Sequence, residues 1–95
     1  MLKILLRAAM VAPALAVLLP LAAQAANPEF CRGYAEAAEN QVRAALSNPA
    51  CAPGARGARW TPERRVHFDW CLTQPVPAVE GERGARTAYL RGCRG

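Results

Sequence analysis

The sequence predicts a small all-α protein, a three-helix bundle stapled by two disulfides and preceded by an N-terminal signal peptide. Three observations support this fold. Apolar residues recur at helical spacing in three segments, and no segment shows the alternation typical of a strand. Four cysteines occur in 95 residues, an even number typical of exported disulfide-bonded domains. The N-terminus has the order of an export signal. This length permits one small domain and excludes a two-domain enzyme.

Residues 1–25 are predicted to be a signal peptide that is removed. Lys3 and Arg7 form a positive start, an apolar run follows over 8–21, and small residues precede a cleavage site after Ala25. The alternative is a membrane anchor, but this run has 14 residues and two prolines, whereas a spanning helix needs about 20. We therefore expect a bacterial protein of the periplasm or the medium, with no transmembrane segment in its mature form.

Residues 26–95 are predicted to form a single small disulfide-bonded helical domain. This domain keeps ten arginines and seven acids, so its net charge is +3, against +5 for the whole chain. Its large apolar side chains make a thin core, and the core of so short a domain supplies only about 3–5 kcal/mol. A disulfide adds typically about 2–4 kcal/mol. The stabilisation from two crosslinks is therefore predicted to be comparable with the whole net free energy of unfolding.

The four cysteines, Cys31, Cys51, Cys71 and Cys93, are all predicted to be paired. They are separated by 19, 19 and 21 residues, without the close pairs typical of zinc sites, so neither a metal nor another cofactor is predicted. An up-down-up bundle pairs Cys31 with Cys71 and Cys51 with Cys93, which is the preferred arrangement. If the loop over 50–60 carries the chain back before the second helix, Cys31 pairs with Cys93 and Cys51 with Cys71.

The first helix is predicted to run from Pro28 to Ser47. Asn27 is a suitable N-cap, and proline is favoured at the first helical position. One stripe of residues at helical spacing is predicted to be buried: Cys31, Ala35, Ala38, Val42 and Ala45 or Leu46.

The second helix is predicted to run from Thr61, its N-cap, to about Leu72. It is apolar around most of its circumference, which predicts a position between the other two helices. The prolines within 74–77 end this region. The third helix is predicted from about Ala78 to Gly92, and its buried stripe is predicted to comprise Ala85, Tyr89 and Cys93.

A larger pattern resembles a known group of proteins. It comprises Cys31-x-x-Tyr34, Cys51, Trp60 and the run His67-Phe68-Asp69-Trp70-Cys71-Leu72. The pattern is similar to that of small uncharacterised secreted proteobacterial proteins with a Trp…His-x-x-Trp-Cys motif. Those proteins have a terminal cysteine after an Arg-x-x-x-Leu-like helix, which Arg86 and Leu90 match here. The resemblance implies a secreted, disulfide-bonded module and implies no chemistry.

The sequence does not predict an enzyme. His67 is the only histidine, Ser47 is the only serine of residues 26–95, and Asp69 points away from His67 on a helix. A Ser-His-Asp site is therefore not expected. A Cys–His nucleophile would need a free thiol, which paired cysteines exclude.

The single histidine is instead predicted to be structural. We expect His67 to pack beside Trp70 or Trp60, with one ring nitrogen bonded to a carbonyl. The alternative is a surface metal site formed by Glu63 and His67, which lie one helical turn apart.

The two tryptophans are predicted to supply much of the core, with an exposed ledge for a glycan or partner as the alternative. A candidate anion or partner patch surrounds one of them, and it comprises Arg56, Arg59, Trp60, Arg64 and Arg65. Guanidinium groups bind carboxylates and phosphates well, so such a patch fits an anionic envelope component. The alternative is a solvated basic loop.

These observations predict a non-catalytic module that has a binding or structural role in the cell envelope. The alternative is a small secreted inhibitor or effector that uses the loop 50–60, tethered by Cys51, against another protein. Nucleic acid is not predicted as a partner, because the compartment is wrong and no recognition motif is present.

Overall fold

Three helices and two short 3₁₀ turns form the part of the chain that the computed structural model describes, residues 24–94. In order they are α1 (Pro28–Leu46), the turns Ala52–Gly54 and Ala58–Trp60, α2 (Arg64–Cys71) and α3 (Val76–Cys93). These residues contain no strand beyond an isolated bridge between Ala25 and Pro75. The predicted all-α, three-helix, two-disulfide fold is confirmed. Within residues 24–94, no helix combines the length and apolar character needed to cross a membrane.

The segment before α1 is attached to the connection between α2 and α3. The backbone N–H of Ala26 donates to the carbonyl of Gln74 over 2.8 Å, and Ala26 is buried. The predicted signal peptide over 1–25 lies outside the described residues except for its last two positions. Its removal therefore stays a prediction.

α1 begins as predicted. The Asn27 side chain accepts a hydrogen bond from the Phe30 N–H over 2.8 Å, and Pro28 occupies the first helical position. The helix ends at Leu46, and Ser47 is its C-cap. Its buried face is Cys31, Tyr34, Ala35, Ala38, Val42 and Ala45. Of the two predicted ends of this stripe, Ala45 is buried and Leu46 is exposed.

α2 begins two residues later than predicted, at Arg64, with Glu63 in place of Thr61 at the N-cap position. Thr61 is not its N-cap, because the polar groups of Thr61 are used ahead of the helix. Its hydroxyl accepts from the Glu63 N–H over 3.3 Å, and its carbonyl bonds the ring of His67 over 2.8 Å. The segment 61–63 is therefore a turn that fixes the histidine.

The predicted position of α2 between the other helices is wrong. α1 is the helix that packs along both α2 and α3. α2 has only eight residues and buries only His67 and Cys71, while Val66 is exposed and Trp70 is half-buried. So short a helix turns one face to α1, leaves Val66 at the surface and covers Phe68 and Trp70 only in part.

α3 begins at Val76, two residues before the predicted start. Pro77 then lies in the first turn, where the missing N–H has no helical partner to lose. The predicted buried stripe of Ala85, Tyr89 and Cys93 is wrong, because these residues are only half-buried. The buried face instead comprises Val79, Arg86 and Leu90. Because an arginine lies at the centre of this face, the spacing of apolar residues did not predict that it is buried.

The two disulfides join Cys31 to Cys71 and Cys51 to Cys93, which confirms the preferred pairing. The first joins α1 to the end of α2, and the second joins the start of the loop 50–60 to the end of α3. Each closes a long stretch of chain, with sequence separations of 40 and 42.

Two small apolar clusters form the core, and each contains a disulfide. The first comprises Ala26, Cys31, Tyr34, Ala38, Cys71 and Val79, and the second comprises Val42, Ala45, Cys51, Ala55, Trp60 and Leu90. Of the thirteen buried apolar residues within 24–94, five are alanine and three are half-cystines. Few large side chains are buried, so the crosslinks hold the helices where the apolar area is small.

The loop 50–60 is packed closely against α3. The Tyr89 hydroxyl donates to the carbonyl of Cys51 over 2.6 Å. A Cβ atom at Gly54 would collide with that hydroxyl, and Gly57 has φ +90°, a conformation that favours glycine. The loop is therefore held at Cys51 by the disulfide and at Trp60 by burial of the indole.

Replacing one disulfide is expected to lower the free energy of unfolding substantially. Loop-closure entropy for about 40 residues predicts a loss of roughly 4 kcal/mol for Cys51→Ala with Cys93→Ala. Urea unfolding followed by far-UV circular dichroism measures it. The matched pair Cys31→Ala with Cys71→Ala closes a loop of nearly equal length and should lose a similar amount. Unchanged midpoints in both variants would contradict the role given to the crosslinks.

Candidate functional site

A polar layer, which we define as Gln41, His67 and Arg86, lies between the two apolar clusters. On α1, Gln41 comes between Ala38 of the first cluster and Val42 of the second. On α3, Arg86 comes between the first cluster and the second in the same way. The interior of this small protein is thus divided by the buried side chains of His67 and Arg86 and the half-buried side chain of Gln41.

Arg86 is a buried cation whose charge is met mainly by neutral oxygens. Its side chain is 1% exposed. Nε donates to Gln41 Oε1 over 2.8 Å and Nη2 to the Tyr34 hydroxyl over 2.5 Å. Nη1 donates to the Arg59 carbonyl over 3.2 Å, and the nearest carboxylate, Glu82, is 3.9 Å away. One guanidinium therefore connects α1, the turn Ala58–Trp60 and α3.

Gln41 is oriented by α3. Its amide nitrogen donates to the Arg83 carbonyl over 3.2 Å and to the Thr87 hydroxyl over 2.9 Å. These bonds leave the amide oxygen to accept from Arg86.

His67 is buried and hydrogen-bonded to a carbonyl, as predicted. Its Nε2 is 2.8 Å from the Thr61 carbonyl, so Nε2 carries the proton and donates. Its aromatic neighbour is Tyr34, which it meets edge-on at 6.4 Å, rather than a tryptophan. Burial lowers the pKa of His67, and the positive charge of Arg86 acts in the same direction. The ring is therefore neutral near pH 7, and Nδ1 is an acceptor with no hydrogen-bond partner among the described residues.

The alternative surface metal site at Glu63 and His67 gains no support from the geometry. The His67 ring is 4% exposed. Throughout residues 24–94, no group of three histidine, cysteine, aspartate or glutamate side chains is arranged to hold a metal.

A cavity of about 230 Å³ opens beside the polar layer. Its lining includes Tyr34, Arg59, His67, Trp70, Glu82 and Arg86. Both oxygens of Glu82 accept from the Arg59 guanidinium, at 2.9 and 2.8 Å, and this bidentate bond lowers the pKa of Glu82. The cavity thus combines a carboxylate, two guanidinium groups, an imidazole and aromatic rings.

The tryptophan of the predicted Arg/Trp patch belongs to the core. Trp60 is 6% exposed, and its ring centroid lies 5.0 Å from that of Tyr89. Trp70 is half-buried and packs at 6.0 Å from Tyr34. Trp60 therefore offers no exposed ledge, whereas Trp70 lines the cavity.

The four arginines of the predicted patch do not form one surface. Arg59 is paired with Glu82, and Arg64 is paired with Glu39 of α1 over 2.7 Å. Arg56 donates to its own loop at the Pro53 carbonyl. Arg65 is highly exposed and only loosely paired, at 3.6 Å from Asp69. Arg64 and Arg65 lie on a groove that Arg56 and Arg59 do not line.

This groove runs between α1 and α2 and has a volume of about 630 Å³; we call it the α1–α2 groove. Ala35 and Phe68 give it apolar lining, and Gly33 adds open space, since a Cβ there would touch nothing within 4 Å. Its charged lining comprises Arg32, Glu36, Arg64, Arg65 and Asp69. Three cations against two anions leave this surface with a positive excess.

Glu39 joins the helices beside this groove. It accepts from Arg43 on its own helix over 3.0 Å and from Arg64 on α2 over 2.8 Å. The hydrogen bond from Arg64 lowers the pKa of Glu39. The groove wall formed by Arg64 is therefore held in place by an ion pair between helices.

Comparison with protein-family models, with curated proteins and with solved structures found no match to this chain. The functional candidates therefore depend on the geometry of its own side chains.

Loss of the buried guanidinium is expected to destabilise the fold strongly. Arg86→Met leaves the Tyr34 hydroxyl, Gln41 Oε1 and the Arg59 carbonyl without their donor, which predicts a loss of about 3 kcal/mol or more. Urea denaturation provides the measurement.

The control for this variant is Arg83→Met on the same helix. The Arg83 side chain is 34% exposed and pairs with Glu80, so its removal should change stability by less than about 1 kcal/mol. Equal losses in the two variants would show that the buried bonds add nothing.

The lowered pKa of His67 predicts a pH dependence of stability. Above its ordinary pKa of 6.5 the ring is neutral in both states. Below 6.5 the unfolded chain takes up the proton first, so the free energy of unfolding should fall. The lowered pKa values of Glu39 and Glu82 act in the same direction, but only below their ordinary 4.5.

Urea unfolding at several values between about pH 7 and pH 5 isolates the histidine contribution. In His67→Gln the slope over this range should vanish, because the amide does not titrate. A slope that survives the substitution would assign it to another group.

Proposed function

We propose that this chain is an exported, non-catalytic module that binds an acidic segment of another protein in the cell envelope or medium. The occupant of the α1–α2 groove is an apolar side chain flanked by carboxylates. The observation that carries the proposal is this groove, in which apolar lining is surrounded by an excess of guanidinium groups.

Export is supported by the cysteines. All four are in disulfides, which persist in oxidising compartments and are rare in the cytosol. The order of residues 1–25 and the resemblance to small secreted proteobacterial proteins support the same location. A non-catalytic role is supported by His67, whose ring is buried and bonded to a carbonyl rather than to a nucleophile.

The chemistry of the groove supports an acidic partner. Arg32 forms no ion pair with any described residue, and Arg65 is only weakly paired with an exposed Asp69. These guanidinium groups can take carboxylates with little loss of existing bonds. Phe68 beside them supplies apolar area for an anchoring side chain.

Filling the groove is expected to abolish partner binding without unfolding the protein. Gly33→Trp places a large side chain where a Cβ meets nothing, and its helix propensity exceeds that of glycine. The matched control is Gly84→Trp on α3, an exposed helical glycine with equally open surroundings. Immobilised wild type and variants are exposed to envelope and secreted fractions, and retained proteins are identified by mass spectrometry.

The proposal requires a protein retained by wild type and Gly84→Trp but lost with Gly33→Trp. Its retention should also fall with Arg65→Glu and with added salt, because the contact is ionic. A set of retained proteins that is the same for all variants would overturn the proposal. Retention of anionic vesicles that persists in Gly33→Trp would also overturn it and would indicate a membrane surface instead.

One observation favours the alternative, an inhibitor of another exported protein. The loop 50–60 is held by the Cys51–Cys93 disulfide and by burial of Trp60, and it carries an exposed Arg56. A loop fixed in advance loses little entropy on binding. If the retained protein is a hydrolase whose capture depends on Arg56 and not on Gly33, the inhibitory function is the correct one.

A further inference from the structure

The cavity beside the polar layer has a chemistry that the α1–α2 groove lacks. It is bounded by a fully buried arginine and by a histidine that is 4% exposed, whereas the charged side chains of the groove are open to solvent. The groove and the cavity share no lining residue, although α2 contributes residues to both. A ligand in the cavity is therefore independent of the partner proposed above.

The donors of the cavity are not fully used. Arg86 has five N–H groups and makes three hydrogen bonds, one from each nitrogen. One N–H on each of Nη1 and Nη2 therefore has no hydrogen bond among the described residues. The carboxylate of Glu82 is 3.9 Å from Nη1, beyond direct bonding distance.

Two residues that line the same cavity also carry unused acceptors. Nδ1 of His67 is an unpartnered acceptor, because Nε2 donates to Thr61 and the lowered pKa keeps the ring neutral. Each oxygen of Glu82 accepts one bond from Arg59 and retains further acceptor capacity. Trp70, half-buried at the cavity, adds an aromatic surface.

This mixture selects hydroxyl groups over a bare anion. A hydroxyl donates to His67 Nδ1 or to Glu82 and accepts from Arg86, so it satisfies both kinds of group. A carboxylate accepts only and a phosphate is mainly an acceptor, and either anion would be repelled by the Glu82 carboxylate and by the lone pair of Nδ1. An aromatic ring beside several hydroxyl partners suits the C–H face of a sugar ring, and a volume of about 230 Å³, below the roughly 300–1,000 Å³ of most ligand pockets, limits the ligand to one such unit.

We propose that the cavity between Arg86, His67 and Trp70 binds a single saccharide unit, either a free sugar or the end of a glycan. Hydroxyls of the sugar accept from Arg86 and donate to His67 Nδ1, and its ring packs on the Trp70 indole.

Titration of the oxidised protein with sugars, followed by ¹H–¹⁵N NMR, tests this. The probes are D-glucose, D-galactose, N-acetyl-D-glucosamine and D-glucuronate, with inorganic phosphate alongside. At least one sugar should shift the Trp70 indole N–H, which is assigned with Trp70→Phe. Comparison of N-acetyl-D-glucosamine with its trimer distinguishes a free sugar from a glycan end.

Ala58→Leu fills the cavity from an exposed lining position without removing a hydrogen bond, and it should weaken the affinity at least about tenfold. Ala88→Leu, at an exposed position of α3 away from the cavity, should leave the affinity unchanged. Gly33→Trp should also leave it unchanged, which separates this site from the groove.

Three results would overturn the proposal. These are the absence of any shift with all four sugars, a shift that survives in Ala58→Leu, and a response to phosphate that exceeds every sugar. The last would make the cavity an anion site.

Discussion

The two disulfides, whose loops overlap in sequence, are the constraint on which the rest of this structure depends. Each is the centre of a small apolar cluster built largely from alanine and cysteine, which bury little area. Because a crosslink destabilises the unfolded chain, the fold does not require many large side chains in its interior. Because the crosslinks supply this stability, the fold can contain two features that a single larger core would exclude. One is a short second helix with incompletely covered apolar residues, and the other is a layer of polar groups in the interior.

The polar layer combines a structural role with the means to bind a ligand. Arg86 connects α1, the turn Ala58–Trp60 and α3, and in a thin core such directional bonds fix the relative positions of these elements. Polar groups pack less completely than aliphatic ones, and the cavity opens where this layer reaches the surface. Binding chemistry therefore appears where the interior is polar as well as at the α1–α2 groove, where Arg32 and the loosely paired Arg65 can take a carboxylate although Arg59 and Arg64 are already paired with acids.

Local signals gave the elements that were predicted well. The cap at Asn27, the following proline and a regular stripe on α1 were all visible, because caps and helical spacing depend on near neighbours in sequence. Of the two disulfide pairings that the sequence left open, the structure has the preferred one, in which an up-down-up bundle places the partners at the same end. The errors at α2 and α3 were of another kind. Thr61 was predicted to be the N-cap although its polar groups bond Glu63 and His67, and Arg86 was not included in the predicted buried face of α3 although it is buried.

The sequence by itself determined the class of the fold, the number of helices and that all four cysteines are paired, since these follow from spacing, capping residues and cysteine arithmetic. Only the tertiary structure decided which helix is central, that Trp60 is buried, and that Arg86, His67 and Trp70 border one cavity. These three residues come from two helices, and the connection between them contains Pro75. Their meeting depends on side-chain packing between distant parts of the chain, and no local pattern of hydrophobicity or charge encodes it.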